Sequence, residues 1–200
     1  MSVFLQGLLL GVLVAVPVGP IGMLCIQRTL NHGQAAGLLT GLGAACADAI
    51  YGLVAGLGLT AITLWLTASQ QWLSLVGALL LMGLGVQSLL NQRYNLQLKV
   101  KDYSGWHMFA GTFLLTLSNP ATILSFLAFI SALGLSGNSS GTLLLVVGVF
   151  SGSACWWLLL VVIVMRLRQR ISHHWRRRIG QIAASAMIGF ALLLLSRQFL

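Results

Sequence analysis

Three stretches of this chain, 1–27, 49–92 and 103–165, contain no Asp, Glu, Lys or Arg. Each is longer than the roughly 20 apolar residues that cross a hydrocarbon core of about 30 Å. The acids of the whole 200-residue chain are Asp48 and Asp102, and only 6% of residues are charged, against about 25% in a soluble protein. No ordinary wetted surface can be built from such a sequence, so lipid must solvate it. The net charge of +9 therefore reads against a bilayer rather than as a nucleic-acid footprint. No cationic segment precedes the apolar stretch 3–26, which exceeds a signal-peptide core and is expected to be retained as a span. Cys25, Cys46 and Cys155 are odd in number and sit inside apolar segments, so no disulfide framework is implied.

Turn-forming and charged residues cut the chain into six expected helices, 3–27, 36–60, 70–91, 106–132, 141–165 and 179–197. Six crossings put the first, third and fifth connections on one side. Those connections hold Arg28, Arg93, Lys99, Lys101 and the basic run 166–178, leaving Arg197 alone on the other side. By the positive-inside rule the basic side is the cytoplasm and both termini lie outside it. The run 166–178, with His173, His174 and Trp175, then orients the chain and lies where anionic lipid headgroups are available.

The two halves resemble each other. Gly11, Pro20 and Leu24 fall opposite Gly111, Pro120 and Leu124, and Met82-Gly83-Leu84 falls opposite Ile188-Gly189-Phe190. The expected architecture is all-α and membrane-integral: a three-helix repeat over 1–93, a cytoplasmic linker over 94–104 and a second repeat over 105–200. An odd number of spans per repeat inverts the second copy relative to the first. Pro17-Val18-Gly19-Pro20 interrupts the first span, because two prolines remove backbone donors and obstruct the helix, and Asn119-Pro120 interrupts the fourth at the matching place. Discontinuous helices in corresponding positions of inverted halves point to a transporter's binding site. A half-helix starting at Gly19-Pro20 or Asn119-Pro120 presents free N–H groups and the positive end of its dipole, which attract a carboxylate.

Asp48 is the one acid inside a span. A charge at that depth costs about 2.5–3.5 kcal/mol on insertion scales, so its default reading is a proton carrier or a cation ligand. Tyr51 shares its helix face and is a candidate partner. In the fifth span Ser151, Ser153 and Cys155 lie at the depth opposite Asp48, and Ser153 is assigned to the site. Spacings such as Gly7/Gly11, Gly37/Gly41 and Gly148/Gly152 indicate close helix packing and permit a homodimer. No P-loop is present, since neither Lys99 nor Lys101 follows a Gly-rich turn. Transport is then powered by a gradient or by a partner, with no catalytic residue, metal or cofactor assigned.

The runs Pro17-Val18-Gly19-Pro20-Ile21-Gly22, Ile26-Gln27-Arg28-Thr29-Leu30, Gly41-Leu42-Gly43, Asp48-Ala49-Ile50-Tyr51-Gly52 and Gly58-Leu59-Thr60, with Asn119-Pro120 and Leu124-Ser125-Phe126, resemble the LysE/RhtB amino-acid exporters. The resemblance covers about residues 10–62 and extends into the second half. It implies proton-driven efflux of an amino acid across a bacterial inner membrane. It also carries a role onto Asp48, the Pro17–Pro20 break and Asn119-Pro120. Many homoserine and threonine exporters of this kind have Pro-Gly-Pro where this chain has Pro-Val-Gly-Pro. Within the same superfamily the alternatives are a divalent metal-ion exporter, for which His32, His107, His173 and His174 lie in loops or near span ends, and a thiol relay through Cys25 and Cys46.

Overall fold

The computed structural model describes residues 2–17, 19–58, 60–93, 105–119, 122, 124–126, 128–129, 139–168, 170 and 173–196. Among these all regular structure is helical. Helix α1 (Val3–Ala15) is capped by Ser2, whose hydroxyl accepts the Leu5 amide at 3.4 Å. Pro17 has no N–H to continue the ladder, and the Gly19 amide turns back to the Pro17 carbonyl at 2.8 Å. Helix α2 (Pro20–His32) then begins with Pro20 in its first turn, where a missing donor costs least. The α1 and α2 axes differ by 79°, so the expected 3–27 span is a pair of half-helices that reaches His32.

Gly33 adopts φ +91, a left-handed conformation that a side chain would strain. It lets the chain pass directly from α2 into α3 (Gln34–Gly56). Gly58, at φ +62, follows the end of α3 with its amide on the Ala55 carbonyl at 3.1 Å. A short helix not anticipated from sequence, α4 (Thr60–Ala68), precedes α5 (Gln70–Arg93). The described remainder is α6 (Gly105–Leu117), α7 (Ser139–Arg168) and α8 (His173–Ser196). Both α7 and α8 extend into the run 166–178, because arginine is a good helix former and Arg166 and Arg168 suit the negative end of the α7 dipole.

Helices α3, α5, α7 and α8 are each long and apolar enough to cross a membrane, and α1 with α2 forms a fifth, broken candidate. The expected fourth span, 106–132, contains α6 and runs on through residues that lie partly outside those described. Polarity is distributed inside out. Gln27, Thr40, Asp48, Thr112 and Ser153 are buried, whereas Leu64, Trp65, Trp72, Leu143 and Ile182 are among the most exposed side chains. That arrangement fits a lipid surround. The chain is a multi-pass membrane protein.

Helix α1 lies along α7, α3 packs against both α7 and α6, and α5 pairs with α8, while α2 touches α3, α7 and α8. One apolar cluster joins α1, α3 and α7 through Leu10, Tyr51, Leu145 and Val149. A second joins α2, α5, α6 and α8 through Leu24, Leu81, Leu115 and Met187. Neighbouring residues fix which helix ends lie together. At one end Gly141 lies against Val3, and the Thr142 hydroxyl donates to the Gly56 carbonyl at 3.0 Å. At the other, Gly105 lies against Leu39 and the Arg168 guanidinium approaches Gly33.

The α1–α7 contact is backbone on backbone. A methyl group on Gly7 or Gly11 would fall on the Leu145 or Val149 carbonyl, and one on Gly148 or Gly152 on the Phe4 or Leu8 carbonyl. Gly83 on α5 has nothing within 4 Å. Gly152→Ala is therefore expected to destabilise by about 1–3 kcal/mol through overpacking, while Gly83→Ala leaves stability unchanged or slightly raised. Thermal unfolding in detergent checks this, and equal melting of the two variants would contradict the close packing.

Candidate functional site

Asp48 lies on α3 where that helix meets α7, and only 3% of its surface is exposed. The Ser153 hydroxyl donates to Asp48 Oδ2 at 2.7 Å, and Trp157 Nε1 donates to Ser153 Oγ at 3.1 Å. Ser153 can sit there because Gly11 lets α1 reach its backbone. The result is a buried chain of indole, hydroxyl and carboxylate, with small neighbours Ala44, Ala45 and Ala47 that leave room for the α7 side chains.

Tyr51, one turn further along α3, does not pair with Asp48. Its hydroxyl donates to the Leu117 carbonyl, the last of α6, in a short hydrogen bond, and its ring lies 5.8 Å from that of Phe126. The reason is the second helix break. The last four carbonyls of a helix have no intrahelical partner, and inside a membrane no water replaces one. Here the Ser118 amide bonds to Leu114 at 2.9 Å, the Asn119 amide to Thr116 at 3.1 Å, and Tyr51 satisfies Leu117. Leu115 is the fourth, and its carbonyl accepts no hydrogen bond among the described residues.

The two breaks meet in one cleft between α2, α5, α6 and α8, with about 260 Å³ of empty space counting its open mouth. Pro20 and Ile21 line it from the start of α2, Ser118 and Asn119 from the end of α6, Gly77 and Leu81 from α5, and Phe190 from α8. At the start of α2, Gly19 supplies no side-chain cap. The Ile21 and Gly22 amides accordingly have no acceptor among the described residues. Ser118 is 6% exposed, and its hydroxyl likewise has no hydrogen-bond partner among them. Ile21, Leu115 and Ser118, each with a polar group that has no partner among the described residues, thus line one cleft.

Of the residues singled out by sequence, Pro20 and Asn119 come together in the cleft, and Asp48 and Ser153 come together between α3 and α7. Asp48 does not line the cleft. Pro17 is exposed and Gly19 half-buried at the break, and neither is among the lining residues. Pro120 lies outside the described residues. Ser151 is half-buried and Cys155 exposed. Among the described residues no group of three or more His, Cys, Asp and Glu gathers at one point.

Sequence reasoning missed three features. Arg28 was assigned to a connection but belongs to α2, and its guanidinium joins α3 and α6 by donating to Thr40 Oγ1 at 3.1 Å and to the Met108 carbonyl and Thr112 Oγ1 at 2.9 Å. Gln27 beside it donates to Ser88 on α5. The hydroxyl residues Thr40, Thr112 and Ser88 in apolar helices were the available signal. Ser118 and Gly77 at the cleft carried none beyond the nearby Asn119.

A family profile described as LysE type translocator matches residues 12–198, which include Asp48 and both breaks. The chain belongs to the LysE-type translocators. This translocator is 27% identical over 198 residues to "Putative amino acid efflux protein YcgF" of Bacillus subtilis (strain 168), a match spanning 95% of this chain and 93% of that one. It is 31% identical over 180 residues to "Uncharacterized membrane protein YahN" of Escherichia coli (strain K12), across 85% and 78% of the two chains. No solved structure matches it.

Tyr51→Phe in this translocator leaves the Leu117 carbonyl buried without a donor. The expected cost is about 1–3 kcal/mol, read as a lower unfolding temperature in detergent. An unchanged melting temperature would mean that the carbonyl finds another donor.

Proposed function

We propose that this translocator exports amino acids or close derivatives across the bacterial inner membrane in exchange for protons, using six spans arranged as two inverted three-helix repeats with both termini outside the cytoplasm. The observation that carries the reading is the convergence of the two helix breaks on one cleft lined by Pro20 and Asn119. Half-helix ends at a repeat interface are where secondary transporters bind substrate. The name of the Bacillus subtilis relative supports amino-acid efflux.

The helix pairing supports the inverted repeat. Helix α1 of the first half packs on α7 of the second while α3 packs on α6, α3 also meets α7, and α5 meets α8. Exchanging the halves leaves this pattern unchanged, as a two-fold axis in the membrane plane requires. The helix ends support six crossings. Val3, Gly56 and Thr142 share one end, whereas Gly33, Gly105 and Arg168 share the other, so α6 and α7 start at opposite ends, as six crossings would require. The second end carries Arg166, Arg168 and Arg170, which supports taking it as the cytoplasmic one.

Substrate and proton occupy separate places in this scheme. The cleft takes the amino acid, and Asp48 takes the proton. When ionised, Asp48 accepts the Ser153 hydroxyl; when protonated it becomes a donor, so the α3–α7 contact has two arrangements. Tyr51 rides on α3 and holds the Leu117 carbonyl, next to Ser118 and Asn119 in the cleft wall. A proton from outside thus shifts α3 and, through Tyr51, the end of α6.

The test is transport in proteoliposomes with and without an imposed pH gradient. Wild type is expected to accumulate a transported amino acid against its gradient when protons flow the other way. Asp48→Asn, which keeps the shape but cannot titrate, is expected to lose uphill accumulation while still exchanging substrate. Undiminished proton-driven accumulation by Asp48→Asn would contradict the coupling role.

A further inference from the structure

Resting on the amino-acid reading of the cleft, we infer that the substrate is a zwitterionic amino acid with an uncharged aliphatic side chain, recognised through backbone ends and the Ser118 hydroxyl rather than through any charged side chain. The cleft has the polarity of a zwitterion. Ile21 lines the cleft at the positive end of the α2 dipole, and neither its amide nor that of Gly22 has an acceptor among the described residues, which suits a carboxylate. Leu115 and Ser118 line the cleft at the negative end of α6, which suits an ammonium group. Ser118 is buried and without a partner among the described residues. A buried polar group left unsatisfied is costly, and an incoming ammonium relieves it.

The remaining wall decides the side chain. Leu81, Leu115, Phe190 and Leu194 line it, and no Asp, Glu, Lys or Arg is among the lining residues. A lysine or glutamate side chain would lose hydration there without finding a counter-charge. An aliphatic one gains by burial. Gly77 sets the depth, because a methyl group there would come within 3.2 Å of Ser118 Cβ and of the Ser118 carbonyl.

The experiment is counterflow of labelled leucine in proteoliposomes of the full chain, with unlabelled competitors. Leucine, valine and norvaline are expected to compete fully, and lysine and glutamate at least about tenfold more weakly. Leucinamide, lacking the carboxylate, and N-acetylleucine, lacking the ammonium, are both expected to fail. Ser118→Ala is expected to weaken leucine by about tenfold, and Gly77→Ala to shift preference toward alanine and α-aminobutyrate. Lysine or glutamate moving as well as leucine would overturn the side-chain assignment while leaving amino-acid export intact. Equal competition by N-acetylleucine would overturn the zwitterion assignment. No counterflow of any amino acid by folded protein would instead bring down the export reading on which this inference stands.

Discussion

A hydrocarbon core supplies no water, so every backbone group released by a broken helix has to be satisfied by the protein or by what it carries. That constraint organises the molecule. Pro17 and Pro20 break the first span, and the second break lies at the end of α6. Most of the carbonyls released at α6 are taken by Ser118, Asn119 and Tyr51. Among the described residues the groups that remain are the first amides of α2 and the Leu115 carbonyl, and Ile21 and Leu115 line the same cleft. Unsatisfied groups beside a cleft are costly until something pairs with them, which is why the cleft is proposed as the binding site.

The second organising feature is the separation of the buried acid from that cleft. Asp48 is held by Ser153, which is held by Trp157, and this chain lies in the seam where α3, α7 and α1 pack through glycine. Such seams have few intermediate positions, because a backbone contact is either made or lost. Tyr51 connects the seam to the cleft with a single side chain. Arg28 ties α2, α3 and α6 together away from the cleft.

Much of this was legible in the sequence, for physical reasons that can be named. Charge-free runs of membrane length follow from composition alone, and the 79° break between α1 and α2 follows from what proline cannot do. The pairing of Asp48 with Ser153 was approachable because both occur at one depth of their spans. Tyr51 could not be assigned, since helical spacing places it near Asp48 but says nothing of the orphan carbonyl across the bundle. Arg28 misled because the positive-inside rule accounts for a cation at a span end, whether it faces water or reaches back between helices. Ser118 and Leu115 were invisible, because being unsatisfied is a property of geometry and not of residue type.

The most direct measurement is substrate protection at the cleft. Ser118→Cys would be made in a chain whose Cys25, Cys46 and Cys155 are replaced, and labelled in proteoliposomes with a small membrane-permeant thiol reagent. The account predicts that the introduced thiol is modified and that a saturating transported amino acid slows its modification severalfold. An unaltered labelling rate in protein that still transports would place the substrate elsewhere and contradict the site.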